Sequence, residues 1–236
     1  MLQGIFPVYK PVGMTSHDVV NKIRTATGVK RVGHGGTLDP LAEGVLVIAV
    51  GRENTKLLDI YVKGDKEYIA TLMLGYISET DDKEGPIYEY KKHGDENKNL
   101  NTKATPTRKE LKECIKKFIG ETTQIPSMYS AIRINGCKAY KYARAARITS
   151  STHKTKEPLL PEMKERKVFI KDIQIISYNY PILEIKVKCK TGVYIRSLAR
   201  DMGNELKTGA YLSKLIRIRV GEFKLSDARN INNLDA

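Results

Sequence analysis

The sequence predicts an α+β fold in which helices flank a mainly antiparallel sheet, and three observations lead to this class. Helix-type and strand-type segments interleave without the strict alternation that builds a parallel sheet. Two strand-type segments, 168–177 and 183–189, follow one another across a turn at 179–181, which is typical of an antiparallel pair. The apolar fraction is 41% of 236 residues, which is enough for a sizeable core. We therefore expect one domain over residues 1–236.

The N-terminal part of the chain predicts one strand and one helix. A short apolar segment at 4–9 predicts the strand. Thr15 or Ser16 can cap a helix that continues to Thr27, because apolar residues recur on one of its faces. Gly28 is suited to end this helix.

The middle of the chain predicts two strands and a second helix. Residues 45–50 are rich in Val and Ile and bounded by glycines, so they predict a buried strand. Residues 66–74 carry Tyr, Ile, Thr and Leu, which favour another strand. Thr107 can cap a helix over 108–119, whose apolar residues recur at helical spacing.

The second half predicts two further helices, at 138–147 and 194–206, and a last core segment at 211–223. Two polar excursions, 91–106 and 149–165, contain few apolar groups and cannot bury enough surface to become ordered. We expect both to be mobile, and the second to belong to a thumb-like insertion beside the adjacent helix.

The chain is strongly basic, with 41 Lys and Arg against 27 Asp and Glu and a formal net charge of +14. Two stretches concentrate this charge: 133–156, which contains no acid, and 186–224. In the first stretch the cations recur every three residues near one helix face, with tyrosines between them: Lys138, Lys141, Arg144 and Arg147. One such stretch alone would suit a solvated helix face. Two together favour binding to a nucleic-acid backbone.

Other classes of protein are not indicated. The longest apolar stretch, 44–51, is too short to cross a bilayer, and the N-terminus lacks the pattern of a secretion signal. The cysteines, Cys114, Cys137 and Cys189, are far apart and without CxxC spacing, and the histidines are scattered. We therefore expect reduced thiols, no metal site and a cytoplasmic protein.

The stretch GHGGTLDPLAEG, residues 33–44, places a single carboxylate in a loop dense in glycine. It matches neither the P-loop nor the dinucleotide pattern GxGxxG. Asp39 before Pro40 can simply start a turn. Alternatively, the glycines let the backbone approach a bulky ligand, and the proline stiffens the chain after a carboxylate placed for nucleophilic or acid–base chemistry beside His34. Spacing alone leaves both interpretations open.

Five ordered stretches resemble the TruB family, the synthases that make pseudouridine in the T-loop of tRNA. GHGGTLDPLAEGVLVIAVGRENTK resembles the family's catalytic motif, and VYKPVGMTSHDVV its opening motif. Three later stretches also resemble family motifs: KEYIATLMLGYISETDDKEG, PSMYSAIRINGCKAYKYAR and GVYIRSLARDMGNELKTGAYLSKLIRIRVGEF. The resemblance covers about residues 4–223 and implies the pseudouridine synthase fold.

The resemblance also implies roles for single residues. It makes Asp39 the catalytic residue. Among the substrate contacts that it implies, Tyr68 stacks on the target base, Leu215 is an apolar contact to that base, and Tyr194 and Arg196 line the pocket. It also implies that His34 faces the flipped nucleotide and that Lys10 of the opening motif contributes to substrate binding. From the residues alone, the two tyrosines and Leu215 could equally be core side chains. Arg196 could pair with Asp201 on its own helix.

The implied reaction is an isomerisation, so no metal, nucleotide or redox cofactor is expected. It breaks the uridine N1–C1′ bond, turns the base and joins C5 to C1′. A catalytic carboxylate must be ionised, and a neighbouring arginine favours that form. We therefore predict a contact between Asp39 and Arg196. Tyr68 is a candidate base for the C5 proton.

Two other functions compete with a synthase that acts alone on the T-arm of tRNA, expected as a monomer. One is a catalytically silent RNA chaperone, which the joint presence of Asp39, Tyr68 and Arg196 disfavours. The other is a guide-RNA-dependent synthase of the dyskerin type. Enzymes of that type carry a C-terminal RNA-binding extension, and we expect no separate C-terminal RNA-binding domain of the PUA type here.

Overall fold

A computed structural model of the chain describes residues 2–91, 105–130, 132–151 and 161–231, with no side chains described at 147–151. Within these residues the chain forms five α-helices: α1 (Ser16–Thr27), α2 (Arg52–Val62), α3 (Arg108–Phe118), α4 (Ala139–Ser151) and α5 (Ile195–Glu205).

The strands of the described residues fall into three groups along the chain. The first six are β1 (Gly4–Lys10), β2 (Val32–Gly35), β3 (Ala42–Val50), β4 (Lys66–Leu74), β5 (Tyr76–Ser78) and β6 (Ile87–Glu89). The next three are β7 (Gly120–Gln124), β8 (Arg133–Ile134) and β9 (Cys137–Lys138). The last five are β10 (Arg166–Asn179), β11 (Ile182–Cys189), β12 (Ala210–Val220), β13 (Phe223–Lys224) and β14 (Arg229–Asn230).

Ten of these strands form one mixed sheet, which confirms the predicted α+β class. Eight follow the order β14-β1-β3-β12-β4-β11-β10-β7, while β13 pairs with β12 and β2 pairs with β3. The pairs β1–β14 and β3–β12 are parallel, and the other pairs of this sheet are antiparallel. Strands β3, β12 and β4 are therefore neighbours at the centre of the sheet, where they place distant parts of the sequence side by side.

Helices cover the sheet over two apolar clusters. In the larger cluster Leu198 and Met202 of α5 are fully buried together with residues of β4, β11 and β12. In the second cluster Val19 and Ile23 of α1 are buried against β1 and β3. The burial of α5 on the central strands fixes its N-terminal turn beside the loop that carries Asp39.

Local sequence signals define the helix ends. Thr15 accepts a hydrogen bond from the backbone N–H of Asp18, whose carboxylate accepts one from the Thr15 N–H, so a capping box begins α1. Gly28 ends the helix in the left-handed conformation, with φ of 68°. Thr107 begins α3 by the same device. The predicted helices at 16–27, 108–119 and 194–206 are confirmed within a residue at each end.

Among the segments that differ from the prediction, two lie against β3. Residues 32–35 are not loop but strand β2, because their backbone groups pair with β3. Helix α2 was not predicted, since its apolar pattern is weak: Leu58 is its buried side chain, and Leu57, Ile60 and Tyr61 are exposed. The tertiary position of α2 against β2 and β3, more than its sequence, accounts for the helix.

The two predicted excursions lie largely outside the described residues. Of 91–106, residues 92–104 are not described. Of 149–165, residues 152–160 are not described, 149–151 continue α4, and 161–165 have no regular structure. The predicted mobility of the thumb-like insertion therefore stays a prediction.

Candidate active site

A cavity of about 300 Å³ opens where the centre of the sheet meets the start of α5. Its walls come from the 36–39 loop, from β4, from the segment before α4, from residues 192–196 and from β12. Five residues proposed from the sequence line it: Asp39, Tyr68, Tyr194, Arg196 and Leu215. The fold thus brings together side chains that are up to 176 positions apart in the sequence.

The loop that carries Asp39 is held by hydrogen bonds to the opening segment of the chain. The Ser16 hydroxyl, which is buried, donates to the Leu38 carbonyl at 3.1 Å and accepts from the Leu38 N–H at 2.9 Å. The Gly13 N–H donates to the Pro40 carbonyl at 2.8 Å. These bonds fix the residues on both sides of Asp39, so its carboxylate occupies a set position at the cavity wall.

Arg196 pairs with Asp39, as predicted from the sequence. Its Nε lies 3.0 Å from Asp39 Oδ2, and its side chain is 6% exposed whereas that of Asp39 is 38% exposed. The pairing with Asp201 that the sequence left open is wrong, because Arg200 takes that carboxylate at 2.9 Å. A buried guanidinium thus holds a carboxylate that remains accessible from the cavity.

A second carboxylate, Asp82, completes the arrangement and was missed in the sequence. It is buried and lies 3.2 Å from Arg196 Nη1. The Thr80 and Tyr129 carbonyls accept the remaining guanidinium hydrogen bonds, each at 3.3 Å. The only feature of the sequence that could have indicated Asp82 is its position in TDDKEG, within a stretch that resembles a family motif. Four acceptor groups therefore hold the Arg196 guanidinium in place, and the Asp39 carboxylate is one of them.

Tyr68 and Leu215 contribute an aromatic and an apolar side chain to the lining of the cavity. They lie on the paired central strands β4 and β12 and are 6% exposed each. Burial raises the pKa of the Tyr68 hydroxyl, an effect that the Arg217 guanidinium partly offsets. The hydroxyl therefore stays protonated at neutral pH and would have to lose its own proton before accepting one from C5. This disfavours the predicted role of Tyr68 as the base.

Arg217 was also missed, because in the sequence it belongs to a basic stretch typical of a surface. It is 1% exposed. Its guanidinium donates to the carbonyls of Val45 at 2.8 Å, Gly36 at 2.9 Å and Thr37 at 3.5 Å. Burial lowers the pKa of Arg217, and the interaction with Tyr68 opposes that shift. Arg217 therefore ties the base of the Asp39 loop to β3 and to Tyr68.

Of the other predicted substrate residues, Tyr194 lines the cavity as expected and His34 does not. Tyr194 lies in the cavity wall just before α5, and its N–H donates to Gln124 Oε1 at 3.1 Å. His34 lies on β2 outside the cavity lining, and burial lowers its pKa, so the imidazole is neutral at pH 7. A neutral ring disfavours an ionic contact between His34 and a phosphate of the substrate.

Lys10 is not a lining residue and is fully buried, which corrects its expected position at the substrate. Its ammonium donates to the carbonyls of Met14 at 2.6 Å, Pro11 at 2.9 Å and Pro40 at 3.5 Å. Burial lowers its pKa to about 8. Lys10 therefore holds the Asp39 loop through the Pro40 carbonyl and does not line the cavity.

The predicted basic face is exposed at the residues that the structure describes. Lys138 belongs to β9, just before the helix and not within it, while Lys141 and Arg144 lie on α4. Lys138 Nζ and the Arg144 guanidinium lie 5.8 Å and 5.3 Å from the centre of the Tyr140 ring. The side chain of Arg147 lies outside the described residues.

The second basic stretch does not form a comparable surface. Lys186 Nζ and an Arg219 nitrogen lie 2.9 Å and 3.5 Å from Glu67, and Arg196 and Arg217 are buried. Most of the cations in 186–224 therefore already have partners inside the fold or at the sheet surface, and their contact with a nucleic-acid backbone stays a prediction.

The described part of the chain shows neither a metal-binding cluster nor a membrane-spanning helix. It contains no group of three or more His, Cys, Asp or Glu side chains arranged to hold a metal ion. None of its helices is long and apolar enough to cross a membrane. Its free cysteines are Cys114 and Cys189, which are buried, and Cys137, which is exposed.

Comparisons with known proteins identify the family of the chain. Residues 24–195 match the family described as "TruB family pseudouridylate synthase (N terminal domain)". The tRNA pseudouridine synthase B of Chlamydia muridarum (strain MoPn / Nigg) is 39% identical over 99% of this chain and 87% of that protein. The protein of the same name from Clostridium acetobutylicum is 38% identical over 99% of this chain and 73% of that protein.

Solved structures share the fold. A chain of a Cbf5-Nop10-Gar1 complex superposes with a TM-score of 0.70 at 24% identity, covering 98% of this chain and 53% of that chain. A chain of an H/ACA RNP bound to a substrate RNA containing 2'-deoxyuridine gives 0.67 at 23% identity, with coverages of 98% and 52%. At such identities the likeness confirms the pseudouridine synthase fold alone. The family match and the more similar relatives carry the assignment: the chain belongs to the TruB family of pseudouridylate synthases.

Proposed function

We propose that this protein is a tRNA pseudouridine synthase that isomerises the T-loop uridine at position 55. The observation that carries the proposal is the Asp39 carboxylate, held 3.0 Å from the buried Arg196 at the wall of a cavity that Tyr68 and Leu215 also line. Relatives at 38–39% identity are named tRNA pseudouridine synthase B. Both the geometry and the relationship support the same reaction.

The cavity suits a single base that has left its stack. Flipping a nucleotide costs a few kcal/mol. Stacking on an aromatic face returns about 1–3 kcal/mol per base. Tyr68 offers such a face beside Leu215, and a uridine seated there would have its ribose toward the Asp39 loop. A base seated in the cavity would displace water from the reacting atoms, which strengthens electrostatic interactions there.

The chemistry requires charge to be handled at two places. As the N1–C1′ bond breaks, the bonding electron pair stays with the base, and the ribose C1′ becomes electron-poor. The Asp39 carboxylate stands ready to bond to or stabilise that centre, and Arg196 keeps the carboxylate ionised and oriented. C5 of the turned base then bonds to C1′, the proton on C5 leaves, and N1, which has lost its bond to C1′, takes up a proton.

An exposed basic surface is suited to bind the RNA backbone. Lys138, Lys141 and Arg144 present charge on this surface, which suits the phosphates of a T-arm. We propose a monomer with one catalytic domain, working in the cytoplasm without guide RNA or partner proteins. The free thiols of the buried Cys114 and Cys189 suit that compartment.

The first experiment measures release of tritium from tRNA transcripts labelled at uridine C5. Wild type and Asp39→Asn are compared with Asp59→Asn, the same chemical change at an exposed position of α2. We expect wild type and Asp59→Asn to release tritium equally, and Asp39→Asn to lose at least about 10³-fold in rate, as removal of a nucleophile does elsewhere. Equal release by wild type and Asp39→Asn would remove Asp39 from the mechanism.

The second experiment locates the target and tests independence from a guide. Replacing the T-loop uridine by cytidine in the transcript should abolish release, and the purified protein alone should act on the unmodified transcript. Full release from the cytidine transcript would move the target elsewhere. Activity that appears only with added guide RNA would favour the dyskerin-type alternative.

A further inference from the structure

Lys66 is a nearly buried cation in the cavity wall that has no part in the chemistry described so far. The residue is 7% exposed, lies at the start of β4 and lines the cavity. Its ammonium donates to the Thr191 hydroxyl at 3.0 Å. Across the described residues, no carboxylate oxygen comes within 4 Å of it.

An ammonium with so little compensation is unusual inside a protein. Buried charges are normally paired, because loss of hydration costs several kcal/mol per ion. Burial and the Arg217 charge lower the pKa of Lys66, and the Cys189 thiol opposes them only in part. The cavity region holds three cations, Lys66, Arg196 and Arg217, against the carboxylates of Asp39 and Asp82, and both carboxylates contact Arg196. Positive charge is therefore in excess at the Lys66 end.

The position of Lys66 relative to Tyr68 indicates which part of the substrate it meets. The two residues are two apart on β4, so their side chains share one face of the sheet, about 7 Å apart along the strand. Lys66 also borders the Asp39 loop, since a Cβ built on Gly36 would lie 3.8 Å from Lys66 Cε. A base stacked on Tyr68 would direct one edge toward this ammonium.

We propose that Lys66 is a further catalytic residue, whose ammonium stabilises the negative charge that gathers on a uracil carbonyl oxygen as the N1–C1′ bond breaks. The inference rests on the proposed function. The electron pair of the broken bond is shared by N1 and the ring carbonyls, so a fixed cation at a carbonyl lowers the barrier without giving or taking a proton. When C5 bonds to C1′ the base becomes neutral; the C5 proton then leaves and N1 takes up a proton, so the base is neutral in the product and the ammonium is unchanged.

A purely structural role for Lys66 is the competing explanation. The bond to Thr191 joins β4 to the segment that precedes α5, and Lys66 could serve as that tether. The two roles make opposite predictions for Thr191→Val, which removes the hydroxyl and keeps the ammonium. Thr191 is exposed and does not line the cavity.

The experiment measures single-turnover tritium release and RNA Kd for wild type, Lys66→Met, Lys66→Arg and Thr191→Val. Removal of one preorganised electrostatic interaction typically costs about 10²–10³-fold in kcat. We expect Lys66→Met to slow the single-turnover rate about 100-fold with Kd changed less than about threefold. Lys66→Arg should recover most of the rate, and Thr191→Val should stay close to wild type. A normal rate in Lys66→Met, or equal slowing in Thr191→Val, would overturn the proposal.

A second measurement decides the matter even if Lys66→Met does not fold. Lysine can lose its proton at alkaline pH and arginine cannot. The wild-type single-turnover rate should therefore fall at lower pH than that of Lys66→Arg. The groups that face Lys66 are the same in both proteins: Arg217 of β12, Cys189 of β11 and Tyr68 of β4. Coincident pH profiles would refute the role, whereas inactive wild type would instead refute the proposed function.

Discussion

Replacement of Asp82 by asparagine tests whether the orientation of Arg196 depends on its second carboxylate. Asp82 lies 3.2 Å from Arg196 Nη1 and is buried. Its other oxygen accepts from the Thr80 hydroxyl at 2.6 Å and from the Glu84 N–H at 3.0 Å. Asparagine keeps the shape and an acceptor oxygen for those two bonds. The substitution removes the charge that faces the guanidinium and puts an amide –NH₂, which cannot accept a hydrogen bond from Arg196, in its place.

The expected magnitude follows from the partners that remain. A hydrogen bond to a charged group contributes about 1.5–3 kcal/mol. Arg196 keeps Asp39 and two carbonyls, so the loss of stability should stay within that range and below the 3–5 kcal/mol of a fully orphaned buried charge. If the guanidinium moves and its contact with Asp39 is weakened by the same free energy, the single-turnover rate falls about 10–100-fold, since 1.36 kcal/mol is a factor of ten in rate.

Asp81 supplies the matched control for this test. It is also a buried aspartate, pairs with Arg200 at 3.0 Å and lies outside the cavity lining. Its φ of 62° is tolerated by asparagine as well as by aspartate. Urea unfolding should give similar stability losses for Asp81→Asn and Asp82→Asn, whereas tritium release should slow only in the latter. Equal rates in the two folded variants would refute the reasoning.

Three further predictions concern stability and RNA binding. Cys114 and Cys189 have their pKa raised by burial to about 12 from 9.0. As the pH rises, the unfolded chain therefore loses these protons before the folded protein does. The free energy of unfolding is undiminished below pH 9 and should fall by about 1.4 kcal/mol per thiol per pH unit between pH 9 and 12. Urea unfolding at pH 8 and 10 should show a smaller alkaline loss in the double alanine variant, and identical losses would contradict this. Replacing Lys141 and Arg144 by glutamine should weaken RNA binding. It should also make the slope of log K against log salt concentration shallower by about 0.7–0.9 for each phosphate that is no longer neutralised. An unchanged slope would contradict the prediction. Gly44→Ala should destabilise by about 3 kcal/mol or more in urea, because φ is +109° and the new Cβ would lie 2.3 Å from a backbone oxygen of β12. A loss below about 1 kcal/mol would contradict the strain argument.

The sequence determined those features whose cause is local. Capping at Thr15 and Thr107 and the left-handed stop at Gly28 depend on hydrogen bonds and backbone angles within a few residues, so their positions could be predicted directly. The Tyr, Ile, Thr and Leu content of 66–74 likewise gave β4 its bounds. The Asp39 carboxylate followed from motif resemblance, and its partner Arg196 from the requirement that a charged acid be stabilised.

Only the tertiary structure decided which further charged side chains, beyond Asp39 and Arg196, belong to the site. Asp82, Lys66 and Arg217 look like surface residues in the sequence, because burial depends on which strands become neighbours. The pairing of β12 with both β3 and β4 places Arg217 under the Asp39 loop and beside Tyr68. Charge patterns along the chain carry no information on such long-range pairing, since the partners that neutralise a cation or leave it uncompensated are brought close only by the folded sheet.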